Sequence, residues 1–299
     1  MAPGRLVVLI ALATACRRSE PVATRAAGAV EVAGPIDSHV HLAYWRVDAE
    51  LARAGLAAAV DLGAPVDDVG APTSVPVVWA GPMLTRPGGY PIDAWDPGGF
   101  GLGCAVDACA VAAIDAAAAR GARAVKVVAG PDGLAPTVMA AAVAHAHARG
   151  LPVLAHALTD ADAAAAAAAG CDGLAHTPVE RLADATVAAW RGRVVVSTLA
   201  AFGGRADAVD NLRRLRAAGA VVLYGTDLGN RRVAGVDPDE LALLAAAGLD
   251  GPAVVDALTT APARFWHLED ALAATTVTLA VDPRLTPSAY AQPQAVHRR

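Results

Sequence analysis

Apolar and polar positions along this chain repeat as one unit. A stretch rich in alanine, with charged residues spaced through it, ends at a glycine and gives way to a short, nearly continuous apolar run. The unit recurs as "LARAGLAAAVDLG", "AAAARGARAVKVV", "AHARGLPVLAHA", "AAAAGCDGLAHT", "WRGRVVVSTL" and "LRAAGAVVLYGTD". Gly55, Gly121, Gly150, Gly170, Gly192 and Gly219 therefore read as helix C-caps, each feeding a strand. Helix followed by an apolar strand, repeated, predicts a parallel sheet covered on both faces. Adding "PIDSHVHLA" (35–43) and "VPVVWAGPM" (75–83) gives eight candidate strands, the number that closes a barrel. An open doubly wound sheet would show a glycine-rich turn after its first strand, and "HVHLAYW" is not one. The alanine run 163–169 reads as an ordinary helix, because alanine is the best helix former. After Phe265 the pattern breaks, and "TVTLAVDP" and "PSAYAQPQAV" read as strands outside the barrel.

A length of 299 residues suits one such barrel, roughly 250 residues, with appendages. The formal net charge is −5 and no basic run follows the first residues, so no electrostatic footprint for nucleic acid is present and the expected partner is a small molecule. The N-terminus "MAPGRLVVLIALATAC" carries Arg5, an apolar run too short to span a bilayer, and small residues before Cys16. Residues 1–15 read as a signal peptide, and "LATAC" is similar to a lipobox that would lipidate Cys16 and tether the chain to a membrane. Ala13 stands where that motif usually has leucine. The expectation is an exported bacterial protein, periplasmic or lipoprotein-anchored. Cys104 and Cys109 can pair in an oxidising compartment, whereas Cys171 reads as a small core residue.

Functional groups of such a barrel sit at the C-terminal ends of the strands. Those ends carry His39 and His41, then Asp61, Lys126, His156, His176 and Asp227. His39 and His41 are two apart, so on a strand both point to one side and two nitrogens can reach one metal. His145 and His147 have the same spacing inside a helical stretch, where such residues diverge, and they read as structural. His267 and His297 have no partner pattern.

Lys126 is the only lysine of the chain, every other long basic side chain being arginine. Strand parity puts 122, 124, 126 and 128 on one face, so an inward Lys126 lies among the histidines. Burial there lowers its pKa toward the neutral amine, which can take up carbon dioxide as a carbamate and bridge two metals. Arginine stays protonated and cannot. The plain alternative is a buried lysine paired with a carboxylate.

At this point the residues resemble the metal-dependent amidohydrolase superfamily, in its imidazolonepropionase-like and prolidase-like branch. The likeness runs from 34 to 266. "GPIDSHVHL", "AVDLG", "GPMLTRPGGYP", "ARAVKVV", "VLAHA", "LAHT" and "YGTDLG" follow one another as that family's strand motifs do. The resemblance implies a (β/α)8 TIM-type barrel over 34–268, with two divalent metal ions, zinc by ligand type, held by His39, His41 and Asp227 and by His156 and His176. It implies N6-carboxylysine at Lys126 as the bridge. Asp227 would serve as general base and acid while metal-activated water cleaves a carbon-nitrogen bond of an amide, a cyclic amide, or an N-acyl amino acid or dipeptide. Two rivals are a metal-dependent lactonase or phosphotriesterase-like hydrolase and a non-catalytic surface lipoprotein that retains metal. The family's small β-sandwich is expected only as a truncated remnant, formed by 16–33 and 269–299. Tyr90 stands where close relatives often have histidine, and with Trp95 it is a candidate to cover the site. Asp61 is either a partner of a metal-bound histidine or a strand-end residue. Arg231 and Arg232 can meet a substrate carboxylate. Oligomeric state is not legible.

Overall fold

The computed structural model describes residues 28–299, so the expected leader 1–15 and Cys16 lie outside the described residues. The strands are β1 (Val30–Ala33), β2 (Ile36–Val40), β3 (Ala58–Asp61), β4 (Val77–Trp79), β5 (Met83–Thr85), β6 (Gly101–Gly103) and β7 (Val125–Val128). They continue as β8 (Val153–His156), β9 (Gly173–Leu174), β10 (Val194–Val196), β11 (Val221–Leu223), β12 (Thr275–Leu279) and β13 (Ala295–Arg298). The fold is mixed α/β. A seven-stranded parallel sheet has the order β11-β10-β9-β8-β7-β5-β6, and a second parallel sheet the order β2-β3-β4.

Backbone hydrogen bonds also run between residues in or next to strands of the two sheets. Ser38 N–H donates to the Tyr224 carbonyl at 2.9 Å on one side, and Arg123 N–H to the Trp79 carbonyl at 2.9 Å on the other. Gly225 lies next to the first of these bonds, where any side chain would run into Val196 and His39. The six predicted cap glycines all have φ between +71° and +100°, a conformation that costs glycine little and ends each helix where the next strand begins. The alanine helix Asp160–Ala169 is held at its start by a reciprocal capping box between Thr159 and Asp162.

Side chains alternate between two cores. Val125 and Val127 face the helices with Ile114, Val138 and Met139. Ala124 faces the opposite way, into a cluster that also takes Ile36, Val60, Val78, Leu154, Val196 and Leu223. Lys126 shares the parity of Ala124, and that alone turns it inward. Trp266 closes this inner layer from below, its indole N–H donating to Ser38 Oγ at 3.2 Å.

Two expectations need correction. The third apolar run is not one strand but β4 and β5, broken where Gly81 adopts φ +72° and Pro82 has no N–H to donate, and the loop beyond it adds β6. The stretch "PSAYAQPQAV" starts as a 3-10 turn, Pro287–Ala291, that buries Tyr290; only Ala295–Arg298 is strand. The two chain ends form an antiparallel sheet, β1-β12-β13, with Val30 opposite Leu279 and Val277 opposite Val296. Cys104 and Cys109 are joined as a disulfide, and Cys171 is buried and free. Among the described residues no helix is long and apolar enough to cross a membrane.

Candidate metal centre

At the C-terminal ends of the strands three ligand-type groups converge. One atom each from His39, His41 and Asp227, all buried, lie within 4.8 Å of one another, a set that can hold a metal ion. Asp227 Oδ1 stands 3.2 Å from His41 Nε2 and 3.6 Å from His39 Nε2. Lys126 Nζ is 3.2 Å from His39 Nε2. The imidazole of His176 lies with its centroid 4.4 Å from that of His39 and 5.0 Å from that of His156.

The backbone holds this arrangement through a buried carboxylate. Asp37 Oδ1 accepts the N–H groups of His39 (3.0 Å) and Thr226 (3.1 Å), and its Oδ2 accepts the Thr226 hydroxyl at 2.6 Å. β2 is thereby tied to the turn that carries Asp227. Asp227 itself has φ +58°, a left-handed conformation that aspartate tolerates better than most residues, and its N–H donates to the His39 carbonyl at 2.9 Å. Asn230, at the end of the same turn, gives its amide to both carboxylate oxygens at 3.1 Å.

Each ring has its own setting. His39 Nδ1 faces the Ala175 carbonyl at 2.7 Å, and His176 Nδ1 faces the Thr198 hydroxyl at 3.1 Å, which leaves both Nε2 atoms turned to the centre. His156 Nδ1 is buried and has no hydrogen-bond partner. A bare ring nitrogen in that position is costly unless a cation faces it, so the donor set fits a metal. Burial holds His39 and His176 well below the ordinary imidazole range and takes His156 down to about 3, which favours the neutral form that binds metal. Burial likewise lowers Lys126 to about 7, against the pull of Asp227 and Asp61. For Asp227 burial acts upward, but His39, His41 and His176 outweigh it and hold the carboxyl well below its usual range.

A cavity of about 550 Å³ opens over these groups, its wall including Tyr90, Trp95, His156, His176, Phe202 and Asp227. Tyr90 stacks on His156 with centroids 4.5 Å apart and receives the Trp95 indole N–H at 2.9 Å. A larger concavity, about 820 Å³, lies at the opposite ends of the strands against Arg193, Arg264 and Phe265. None of the converging groups reaches it.

Other candidates sit elsewhere. Arg231 is taken by Asp237, at 2.6 and 2.9 Å, and by Asp239 at 3.0 Å, rather than turned to a substrate. Arg232 stacks over Trp45. Asp61 accepts the N–H groups of Ala43 and Gly63, both at 3.0 Å, and so fixes the loops behind His41 rather than bonding a ring nitrogen; burial raises it to about 6. His145 and His147 diverge along their helix to Asp115 (2.7 Å) and Asp172 (2.8 Å). Asn230, Phe202 and Asp37 escaped the sequence reading. Only Asp37 left a signal, as a charged residue inside the apolar run of β2.

Comparison with known proteins returns no matching family model and no matching curated protein. Solved structures do match. A Xaa-Pro dipeptidase with methionine bound in its active site superposes with a TM-score of 0.76 at 15% identity, covering 90% of this chain and 86% of that one. An amidohydrolase gives 0.72 at 21% identity over 90% and 85%, and the A. niger ochratoxinase 0.72 at 18% over 89% and 81%. The chain has the fold of these amidohydrolase and prolidase structures.

Proposed function

We propose that this protein is a metal-dependent hydrolase that cleaves the carbon-nitrogen bond of a small amide on a closed (β/α)8 barrel. The single observation that carries it is the meeting of His39, His41 and Asp227 at the strand ends, with Lys126 Nζ 3.2 Å from His39. The dipeptidase, amidohydrolase and ochratoxinase likenesses supply the same class of chemistry by analogy of fold. Barrel closure is supported by the two hydrogen bonds between the sheets and by the inner cluster shared among the strands.

In this proposal His39, His41 and Asp227 hold one divalent ion and His156 and His176 a second, both zinc, because imidazole and carboxylate suit that ion. When bound, such ions make water nucleophilic near neutral pH and polarise the carbonyl under attack. The Lys126 amine, in its neutral form, would add to carbon dioxide with loss of a proton, and the resulting carbamate would supply an anion to help hold both ions. Asp227 takes a proton from the attacking water and delivers it to the departing nitrogen. Asn230 holds that carboxylate in place through both oxygens. Tyr90 and Trp95 shield the centre from bulk water.

The chain ends β1, β12 and β13 are, in this proposal, what is left of the family's β-sandwich. Export with a membrane tether through lipidated Cys16 belongs to the same proposal, and labelling with a radioactive fatty acid, absent from Cys16→Ala, tests it.

Metal analysis together with a hydrolysis panel of amides, lactones and phosphotriesters tests the main assignment. Metal bound at two equivalents with turnover confined to amides is the expected result. Turnover of lactones or phosphotriesters with amides untouched would overturn it, and a metal-loaded protein inert to the whole panel would favour the non-catalytic rival.

A further inference from the structure

We infer that the cavity selects an uncharged substrate carrying a flat apolar group beside the scissile bond and no free carboxylate, an inference that rests on the amide hydrolysis proposed above. Three rings shape the wall. Tyr90 stacks on His156, Trp95 braces Tyr90 through its indole N–H, and Phe202 meets His176 edge-on with centroids 5.0 Å apart. Flat apolar groups pack well between such faces, which carry the negative side of the ring quadrupole.

The charges on the wall run against an anion. Among the described residues, no arginine or lysine lines the cavity, whereas Asp132, Asp162 and Asp227 do. The arginines of the flanking loops are committed elsewhere. Arg86 gives its guanidinium to Asp132 (2.8 Å) and to the carbonyls of Pro131 (2.9 Å) and Pro87 (3.2 Å). Arg231 is clamped by Asp237 and Asp239, and Arg232 stacks over Trp45 and Tyr44. Arg205 is exposed and outside the wall. In an N-acyl amino acid or a dipeptide the carboxylate stands one carbon beyond the scissile nitrogen, so it faces this wall rather than the histidines. There it would be desolvated against aromatic faces and wall carboxylates, with no arginine or lysine to pair with it. A neutral substrate meets the same wall without that penalty, because neither the wall carboxylates nor the Thr159 hydroxyl and the Asn230 amide repel an uncharged group.

N-acetylphenylalanine and N-acetylphenethylamine differ only by the carboxylate, and kcat/KM for both on the zinc-loaded full chain tests the inference. The amine-derived member should be preferred by about tenfold or more; equal or better turnover of the acid overturns it. Phe202→Arg places a cation on the wall, and its half-buried position allows the longer side chain with the fold checked by circular dichroism. That variant should narrow or invert the ratio, and an unchanged ratio in a folded variant also overturns the inference. If neither compound is cleaved the proposed activity is what fails. Calorimetric affinities for the same pair then decide the inference: about tenfold tighter binding of the neutral member supports it, and equal or tighter binding of the acid sinks it.

Discussion

Lys126 Nζ stands 3.2 Å from His39 Nε2, two basic nitrogens face to face in a region sealed from solvent. Protonating both would place like charges together at low dielectric, and burial already lowers the lysine to about 7 and the histidine well below its ordinary range. Such a pair is stable as neutral groups, or around cations that each can help to bind.

The lysine is the first point of test. Lys126→Ala should purify with at least one metal equivalent missing and regain part of its activity when a short carboxylic acid is added to replace the bridging anion. Metal content equal to that of the parent chain, read by mass spectrometry of the elements, would contradict a carbamate at this position.

Asp227→Asn should fold normally, because asparagine also tolerates φ near +58° and keeps one acceptor oxygen for Asn230. Turnover should fall by roughly 10² to 10⁴-fold through loss of the proton carrier. Melting temperature and kcat measured together separate the two effects; a variant as active as the parent removes Asp227 from the chemistry.

Glu240 gives a pH prediction away from the centre. Its carboxylate is buried, accepts the N–H groups of Leu199 (3.0 Å) and Ala200 (2.7 Å), and is raised by burial from 4.5 to about 7. With the folded pKa above the unfolded one, the folded chain holds this proton more tightly. The resulting stability is complete below the unfolded pKa and is lost as pH rises through the folded one. Asp37, raised to about 7, acts in the same direction. Denaturant titrations should therefore show unfolding free energy falling between about pH 5 and about pH 8, and Glu240→Gln should flatten that fall by up to a few kcal/mol. An identical slope in the variant would rule out Glu240 as a source.

His145→Ala and His147→Ala should each cost no more than about 1 kcal/mol, since their partners Asp115 and Asp172 form part-exposed pairs. Metal content should stay unchanged in both, by the same elemental analysis. Loss of metal from either would mean that the helix Pro136–Ala148 takes part in the centre after all.

The elements of this chain were legible wherever their cause is local. Six glycines mark helix ends because only the residue itself decides whether a left-handed φ is cheap, and apolar runs mark strands because burial on both faces demands it. The inward turn of Lys126 followed from strand parity, and the divergence of His145 from His147 from helical pitch. Other features depended on partners far away in sequence. Asp37 finds Thr226 across 189 residues, Arg86 gives its guanidinium to Asp132 46 residues on, and the Nδ1 of His156 is left without a hydrogen-bond partner although Tyr90 stacks on its ring. Backbone preference and side-chain alternation act over a few residues and can be read from composition and spacing. Which charge is neutralised, and which nitrogen is left bare, is decided by desolvation among groups that meet only when the strands come together.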